Sequence, residues 1–479
     1  MNKYYDYIII GAGPSGLTLA YYLGKLNKKC LLIDKQETIG GCHRVVRHNG
    51  LFTEHSPRIY SDSYLNFIKL LENMNLNFND LFVPYNFSIA NIGGKSLSYF
   101  NFKEIIIFMI EFIKLLFDEN YSKYITMKQF TNIHNFSNQS IDYIDRLCRL
   151  TDGADITRYT LFEFLQLINQ MSLYKLYQPS KPNDIGLFKF WYNAIMATNN
   201  VDIILNKKVE NINYSKNKII NITIDNIIYT ASTFILAIPP EPLFNILKNS
   251  GIENSFMESK FEKWVEDNSY IDDLGITFHW NVDLKLKKIW GFPKSEWGVA
   301  FNIISDYMNF EDDRSKTVIS IAITMINSKS LFNNKTPHEC NENELLSETF
   351  RQLKLSYPEL PEPTISLLNP LIKRINNKWV ESDTGYVVSA NKNTILPSKS
   401  IRFDNLYNVG TQNGNSKYYF TSMESAVSNS LSLLHILEPI TKINYPIYNL
   451  NSIVNIIKII IFICLIIYLI IIIYKIPII

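Results

Sequence analysis

The feature that most constrains this chain is a short apolar segment followed at once by glycines at a fixed spacing. Residues 7–10 read Tyr-Ile-Ile-Ile, and Gly11, Gly13 and Gly16 follow in the pattern G-x-G-x-x-G. The apolar segment predicts a buried parallel strand. The glycines allow a tight turn, a close approach of the backbone to a phosphate, and the packing of a helix on the strand. The pattern therefore predicts a dinucleotide-binding β-α-β unit.

The helix and the second strand of this unit supply further groups for a nucleotide. Pro14 suits the first turn of the helix, whose N-terminal N–H groups and dipole favour a phosphate. Asp34 ends the second strand 18 residues after Gly16, where a carboxylate can accept hydrogen bonds from a ribose. The alternative is a glycine-rich turn between an ordinary strand and helix. The predicted dinucleotide contacts in this unit are Gly11, Gly13, Pro14, Ser15, Gly16, Asp34 and Lys35.

Length, charge and cysteine spacing restrict the class of protein. The 479 residues exceed one ordinary domain, and a hydrophobic share of 47% supports a large core. The formal charge of +2 gives no basic surface for nucleic acid. The five cysteines show neither metal-ligand nor paired spacing. We therefore expect no metal site, no disulfide framework and a reducing compartment.

Residues 459–474 near the C-terminus carry no charge and lie between Lys458 and Lys475. As a helix they would span roughly 24 Å, against a hydrocarbon core of ~30 Å. Neighbouring isoleucines extend the segment, and both lysines can reach the membrane surface. We predict a transmembrane tail anchor at residues 455–476 after a linker at 439–454, with the preceding chain facing the cytosol. A buried or interfacial helix is the alternative.

Local patterns predict two helices between the glycine-rich unit and the middle of the chain. Residues 62–71 place Leu65, Ile68 and Leu71 on one face, and Ser61 is a plausible N-cap. Residues 102–117 hold an apolar run that charged residues interrupt repeatedly. This second pattern favours a core or surface-lying helix over a membrane span.

Motifs in separated segments point to one family. After Asp34 comes the pair Gly40-Gly41, and residues 52–58 read Phe-Thr-Glu-His-Ser-Pro-Arg. Residues 233–240 form an apolar strand ending in Ala-x-Pro-Pro, and residues 421–426 contain a Glu-x-Ala unit at a predicted helix start. Together these segments resemble the superfamily of flavin amine oxidases, protoporphyrinogen oxidases and phytoene desaturases, which also includes UDP-galactopyranose mutase.

The resemblance implies that the cofactor is FAD. In that family the backbone at the position of Val209 hydrogen-bonds the adenine, and a terminal strand, glycine and acid precede a helix that points at the flavin. Thr411 stands in place of that acid. Cys42 is expected to be a small residue in a tight loop, with a reactive thiol as the alternative. The implied further FAD contacts are Gly41, Cys42, Arg44, Val209, Gly410, Thr411, Ser422 and Met423.

The resemblance also implies where catalytic residues lie. His55, Arg58 and Tyr419 are the candidates near the flavin ring. Tyr418, next to Tyr419 in the chain, is a further candidate. Loop bracing or cofactor binding is the alternative for His55 and Arg58, and ordinary packing is the alternative for the tyrosines. Many amine oxidases carry a lysine near the start of the strand that begins here at about residue 274. Gly275 or its neighbours stand at that position.

The expected fold is α/β, with a Rossmann-type FAD-binding domain (a parallel sheet with helices) interleaved with an α+β substrate domain and followed by the C-terminal transmembrane helix. The FAD-binding domain is predicted at 1–60, 200–245 and 400–438, and the substrate domain at 61–199 and 246–399. The expected function is a membrane-anchored FAD-dependent oxidoreductase that oxidises an apolar or amphipathic small molecule by hydride transfer. The alternatives are a non-redox flavoenzyme of the mutase kind and a degenerate FAD-binding protein.

Overall fold

The computed structural model describes residues 4–56, 58–85, 88–89, 96–118, 121–267, 269–291, 294–382, 385–387, 395–416, 421–439, 447 and 452–475. The strands are β1 Tyr4–Ile10, β2 Cys30–Ile33, β3 Val46–His48, β4 Leu51–Thr53, β5 Tyr60–Ser61, β6 Phe82–Pro84, β7 Ser88–Ile89, β8 Leu176–Pro179, β9 Val201–Ile204, β10 Asn211–Ser215, β11 Lys218–Ile224, β12 Ile227–Leu236, β13 Ser269–Tyr270, β14 Leu274–Trp280, β15 Ile289–Trp290, β16 Val299–Ile303, β17 Thr317–Ile323, β18 Ile365–Leu368, β19 Ile372–Ile375, β20 Lys378–Glu381, β21 Tyr386–Val387 and β22 Leu406–Asn408. The helices are α1 Pro14–Lys25, α2 Leu65–Asn73, α3 Phe78–Leu81, α4 Phe102–Lys114, α5 Met127–Ile133, α6 Asn138–Asp152, α7 Leu161–Leu173, α8 Leu187–Met196, α9 Pro240–Asn249, α10 Phe261–Glu266, α11 Glu342–Leu353, α12 Met423–Leu437 and α13 Ile453–Lys475.

A seven-stranded mixed sheet forms the Rossmann half of the protein. Its order is β10-β11-β12-β1-β2-β9, with β22 also paired to β12. Strands β9, β2, β1, β12 and β22 run parallel, so their carboxyl ends meet at one edge. The parallel strands come from residues 4–33, 201–236 and 406–408, which lie within the three segments predicted for the FAD-binding domain. Ligands of such sheets bind at this carboxyl edge.

The apolar sequence of β1 and β2 explains why they occupy the centre of this sheet. Both faces are covered, because α1 and α12 pack on one side and the apolar side chains of β11 and α9 lie on the other. Ile8, Ile9, Leu31 and Leu32 are fully buried. A strand buried on both faces needs a continuous apolar run rather than an alternating one, as residues 7–10 show.

A second, antiparallel sheet has the order β16-β17-β14-β18. One face carries large apolar side chains, such as Ile276 and Phe278, which pack with residues of α11. The opposite face carries small or polar side chains in cross-strand rows, including Thr277 beside Ser320 and Gly275 beside Ala322. Gly275 meets the backbone of residues 54–55. The second sheet therefore turns its small and polar face toward the Rossmann half.

The two locally predicted helices form, but one begins later than its pattern suggested. The helix predicted at residues 62–71 begins at Leu65, and Ser61 lies in β5 without capping it. The N–H groups of Asn66 and Phe67 donate instead to the carboxylate of Glu424. The prediction of Ser61 as N-cap is therefore wrong, because a residue distant in sequence supplies the cap. Helix α4 begins at Phe102 as predicted, with Asn101 and Glu104 forming a capping box.

Helix α13 is the one described helix that is long and apolar enough to cross a membrane. Its stretch Ile453–Ile471 has a mean hydropathy of 3.0, and none of it is buried within the protein. Only its first turns touch the rest of the fold, through Ile453, Val454 and Ile457. The N–H of Ile453 donates to Oδ1 of Asn169 at 3.0 Å. Residue 476, the last of the predicted anchor, lies outside the described residues.

Candidate cofactor site

A cavity of about 940 Å³ runs along the carboxyl edge of the Rossmann sheet. Its walls combine the glycine-rich turn, the end of β2, the segment before β10 and the segment after β22. The structure thus brings together residues that are hundreds of positions apart in sequence. The predicted contacts that line it are Gly11, Gly13, Pro14, Ser15, Asp34, Lys35, Gly41, Cys42, Arg44, Val209, Gly410 and Thr411.

The glycine-rich turn holds β1, α1 and β12 close together. Gly11 has a φ of +111°, and its N–H donates to the carbonyl oxygen of Ile33 at 2.7 Å. A Cβ at Gly11 would overlap the carbonyl oxygen of Ala237, and a Cβ at Gly16 would overlap that of Gly11. Gly16 is not among the residues that line the cavity, so its part is to let α1 pack against the turn.

Asp34 braces the same turn from the end of β2. One carboxylate oxygen accepts a hydrogen bond from the N–H of Ala12 at 2.6 Å, and the other accepts from the N–H of Gln36 at 2.8 Å. Asp34 therefore holds the turn in place at the wall of the cavity.

The loop after Gly41 accommodates the two residues that separate the glycine pair from Arg44. Residues Gly41–His43 form a short 3-10 turn. Nη1 of Arg44 donates to the carbonyl oxygen of Gly41 at 3.0 Å, and Nη2 of Arg58 donates to that of Cys42. Two guanidinium groups thus hold the backbone of this loop, and Cys42 lies at the cavity wall.

A smaller inner cavity of about 140 Å³ adjoins the first. Arg58, Ser422 and Met423 line it, and Cys42 and Thr421 line both cavities. Ser422 is the N-cap of α12, because its side chain accepts from the N–H of Ser425 at 3.0 Å. Four predicted residues therefore lie at the inner cavity: Cys42, Arg58, Ser422 and Met423. Tyr418 and Tyr419 lie outside the described residues.

His43 also lines the inner cavity. Burial, followed by the charges of Arg58 and His55, lowers the pKa of His43 well below its ordinary value. The ring is therefore neutral near pH 7, whereas Arg58 beside it is a permanent cation. No sequence pattern marked His43 as a site residue, although it follows the predicted contact Cys42.

His55 lies behind the wall of the larger cavity and lines neither of the two. Its Nδ1 is 3.0 Å from Oε1 of Glu381, and both side chains are buried. Glu381 lines the larger cavity and also accepts from Nδ2 of Asn369 at 2.7 Å. The structure therefore places Glu381 between His55 and the cavity.

Asp273 is a site residue that sequence reasoning missed. It precedes β14, is 6% exposed and lines both cavities. Burial is the main cause that raises the pKa of its carboxyl to about 7, and the charge of His55 opposes this rise. No local pattern marks Asp273, because its position depends on where β14 meets the Rossmann half.

Gly275 explains why this chain has no lysine at the start of β14. A Cβ at Gly275 would overlap the carbonyl oxygen of His55 and would lie 2.8 Å from that of Glu54. The loop after β4 therefore packs directly against the strand. Any side chain at residue 275 would displace this loop, so the position cannot hold a lysine in this arrangement.

Comparison with known proteins supports the fold at two levels. A family model described as an NAD(P)-binding Rossmann-like domain matches residues 9–73. UDP-galactopyranose mutase of Mycoplasma genitalium is 31% identical over 117 residues, which cover 20% of this chain and 29% of that protein. Ferredoxin–NADP reductase of Rickettsia akari is 58% identical over 36 residues, 8% of this chain and 11% of the relative. The chain thus spans less than a third of these curated relatives.

Solved structures match over most of the chain. Putrescine oxidase bound to putrescine superposes with a TM-score of 0.67 at 14% identity, covering 92% of this chain and all of that one. An oxidoreductase from Methanosarcina mazei superposes with a TM-score of 0.63 at 13% identity, covering 90% of this chain and all of that one. A protein named as a protoporphyrinogen oxidase of Exiguobacterium superposes with a TM-score of 0.59 at 13% identity, covering 92% of this chain and all of that one. The chain therefore has a Rossmann-like α/β fold, which it shares with putrescine oxidase and these two other proteins over most of its length.

Proposed function

We propose that this protein is an FAD-dependent oxidoreductase that oxidises a small apolar or amphipathic molecule by hydride transfer. The observation that carries the proposal is the single cavity of about 940 Å³, which joins the glycine-rich turn, Asp34, Val209 and the segment Gly410–Thr411. These positions come from three separated segments, as expected for a cofactor that spans the edge of the sheet. The fold that the chain shares with solved oxidases also supports an FAD-dependent oxidoreductase.

The residues of the cavity fit FAD. The turn at Gly11 leaves no room for a Cβ, and the N-terminus of α1 offers N–H groups and a positive dipole end to a pyrophosphate. Asp34 lines the cavity where a ribose would lie, and the backbone at Val209 would meet the adenosine end. FAD bound here would supply the hydride acceptor that amino acid side chains lack.

The protein's own residues would bind and orient the substrate in the inner cavity. Arg58 and the neutral His43 supply polar contacts near the cofactor cavity. The remaining wall mixes apolar side chains, such as Leu167 and Met171, with polar ones that include Arg149, Gln170 and Asp273. Such a lining favours an amphipathic substrate, with a carbon skeleton and polar groups. Its volume of about 140 Å³ suits a small reacting end of that substrate.

The arrangement of arginines argues against the mutase alternative. A diphosphate substrate needs guanidinium groups that are available to it. Arg146 is paired with Asp142, and Arg351 is paired with Glu348. Arg149 and Arg158 likewise face acidic side chains, and Arg374 donates to the carbonyl oxygen of Cys340. The arginines of the predicted substrate domain thus already have protein partners.

FAD binding tests the proposal directly. We expect the purified full-length protein to bind one equivalent of FAD with the absorbance of an oxidised flavin. Asp34→Ala should weaken FAD affinity about 10- to 100-fold, because hydrogen bonds to a charged acceptor are lost. Titration of the apoprotein with FAD, followed by flavin fluorescence, measures this change.

A control variant and two further results separate an FAD-dependent oxidoreductase from the alternatives. The control variant Asp313→Ala changes an exposed carboxylate that is ion-paired with Lys316, and it should bind FAD like the wild type. A wild-type protein that takes up no FAD after reconstitution would rule the proposal out. Bound FAD that no reductant or organic donor reduces would favour the degenerate binder.

We also propose that α13 anchors the protein in a membrane by a single pass, with the remaining fold on the cytosolic side. Beyond its first turns the helix is apolar on every side, and no residue of the stretch Ile453–Ile471 is buried within the protein. An uncovered helix of this length and composition is more stable in hydrocarbon than in water.

Charges placed in the middle of α13 should abolish membrane association. Ile463→Arg combined with Ile467→Arg puts two charges on one helix face, and each costs about 2.5–3.5 kcal/mol at a membrane centre. We expect the double variant to leave the alkaline-washed membrane pellet. The control Ile436→Arg, at an exposed position on α12, should stay in it. Retention of the double variant in the pellet would contradict the anchor.

A further inference from the structure

Asp273 occupies the junction between the two cavities. It lines both cavities, and only 6% of its surface is exposed. Its carboxyl accepts no hydrogen bond from any residue that the structure describes. Buried carboxylates ordinarily have such donors. A buried acid that faces open space on two sides is placed to exchange protons with whatever occupies that space.

The charged groups around Asp273 come from several elements. His55 and Glu381 form a buried pair with 3.0 Å between Nδ1 and Oε1. Asp272 precedes Asp273 in the chain, and Arg149 approaches from α6. The charge of Arg149 is largely balanced, because its guanidinium is paired with Asp145 at 2.9 Å and lies 3.7 Å from Asp155. Asp273 therefore has no unbalanced cation beside it.

This environment makes Asp273 an acid that changes its protonation state near neutral pH. Burial without hydrogen-bond donors penalises the carboxylate, and the negative charge of Glu381 adds to the penalty. Together these effects raise the pKa to about 7, despite the opposing charge of His55. General bases act best when their pKa lies near the working pH.

We propose that Asp273 is the proton acceptor of the oxidation and releases the proton through the larger cavity. This inference rests on the proposed FAD-dependent oxidation. The substrate would be an amine or alcohol with a hydrogen on the carbon next to its nitrogen or oxygen. With FAD bound, the C–H hydrogen would leave with both bonding electrons as hydride to the cofactor, and the N–H or O–H bond would lose its proton to the Asp273 carboxylate. A C=N or C=O bond forms, and the carboxyl later passes the proton to water.

Proton uptake during reduction tests the proposal without a known substrate. The full-length flavoprotein is reduced anaerobically by light and a deazaflavin, and protons bound per two electrons are measured from pH 6 to 9. Negative charge gained by the cofactor raises the pKa of a nearby carboxyl further. Between its two pKa values, Asp273 should therefore bind one additional proton. Asp273→Asn should lose this proton, whereas Asp272→Asn, on the exposed neighbour, should keep it.

Each outcome has a distinct meaning. Asp273→Asn that binds as many protons as the wild type at every pH overturns the role of Asp273 and leaves the oxidoreductase proposal standing. A wild-type protein that holds no FAD overturns both. If Asp273→Asn does not fold, infrared difference spectra of the reduced and oxidised wild type decide. The carbonyl band of a newly protonated carboxyl supports the proposal, and its absence overturns it.

Discussion

Gly11→Ala is expected to abolish FAD binding and to destabilise the Rossmann half. Gly11 has a φ of +111°, which an L side chain rarely adopts, and its Cβ would overlap the carbonyl oxygen of Ala237. Backbone strain and overpacking each cost about 1–3 kcal/mol. The two costs together amount to roughly 2–6 kcal/mol at the centre of the sheet. Thermal unfolding and FAD titration of the same preparation measure the two effects.

Gly251→Ala provides the matched control. Gly251 also has a positive φ, +66°, but no atom lies within 4 Å of the Cβ that alanine would add. It ends the turn after α9, away from the cavity. Its cost should stay near 1 kcal/mol, the strain of the backbone alone, with unchanged FAD affinity. Equal losses in both variants would show that crowding against Ala237 contributes nothing.

The Rossmann unit was predictable because its determinants are local. The apolar run at residues 7–10 predicted β1, and the glycine spacing predicted the turn into α1, which begins at Pro14. Asp34 was placed at the end of β2 by its distance from Gly16, and its hydrogen bond to Ala12 confirms that it meets the turn. Within one β-α-β unit, neighbours in space are also close in sequence, so spacing carries the geometry.

Contacts between separated segments escaped prediction for the opposite reason. The resemblance to a family brought Val209 and Gly410 into the site, and both line the cavity. It named neither Asp273 nor Glu381, because neither belongs to a motif on which the resemblance rests. Their place follows from Gly275, whose lack of a side chain lets β14 approach the loop at His55. Such an approach depends on tertiary packing, which no local pattern encodes.

The start of α2 likewise depends on a contact between separated segments. Breaking that contact is expected to lower the stability of the protein strongly. A local pattern proposed Ser61 as the cap, but Glu424 supplies it from α12. The carboxylate accepts from the N–H of Asn66 at 3.1 Å, from Nδ2 of Asn66 at 2.5 Å and from the N–H of Phe67 at 2.9 Å. Glu424 is 2% exposed, so water cannot replace these hydrogen bonds. One side chain thus joins α2 to the first turn of α12.

Glu424→Ala should therefore lower the free energy of unfolding by roughly 3–5 kcal/mol, since several buried donors lose a charged acceptor. Glu424→Gln keeps one acceptor oxygen and should fall between this variant and the wild type. Glu72→Ala, on an exposed position of α2 with a surface ion pair to Lys69, should stay within about 0.5 kcal/mol. Denaturant unfolding of the four proteins compares them. A Glu424→Ala variant as stable as Glu72→Ala would mean that the start of α2 needs no cap from α12, and that packing alone joins the two helices.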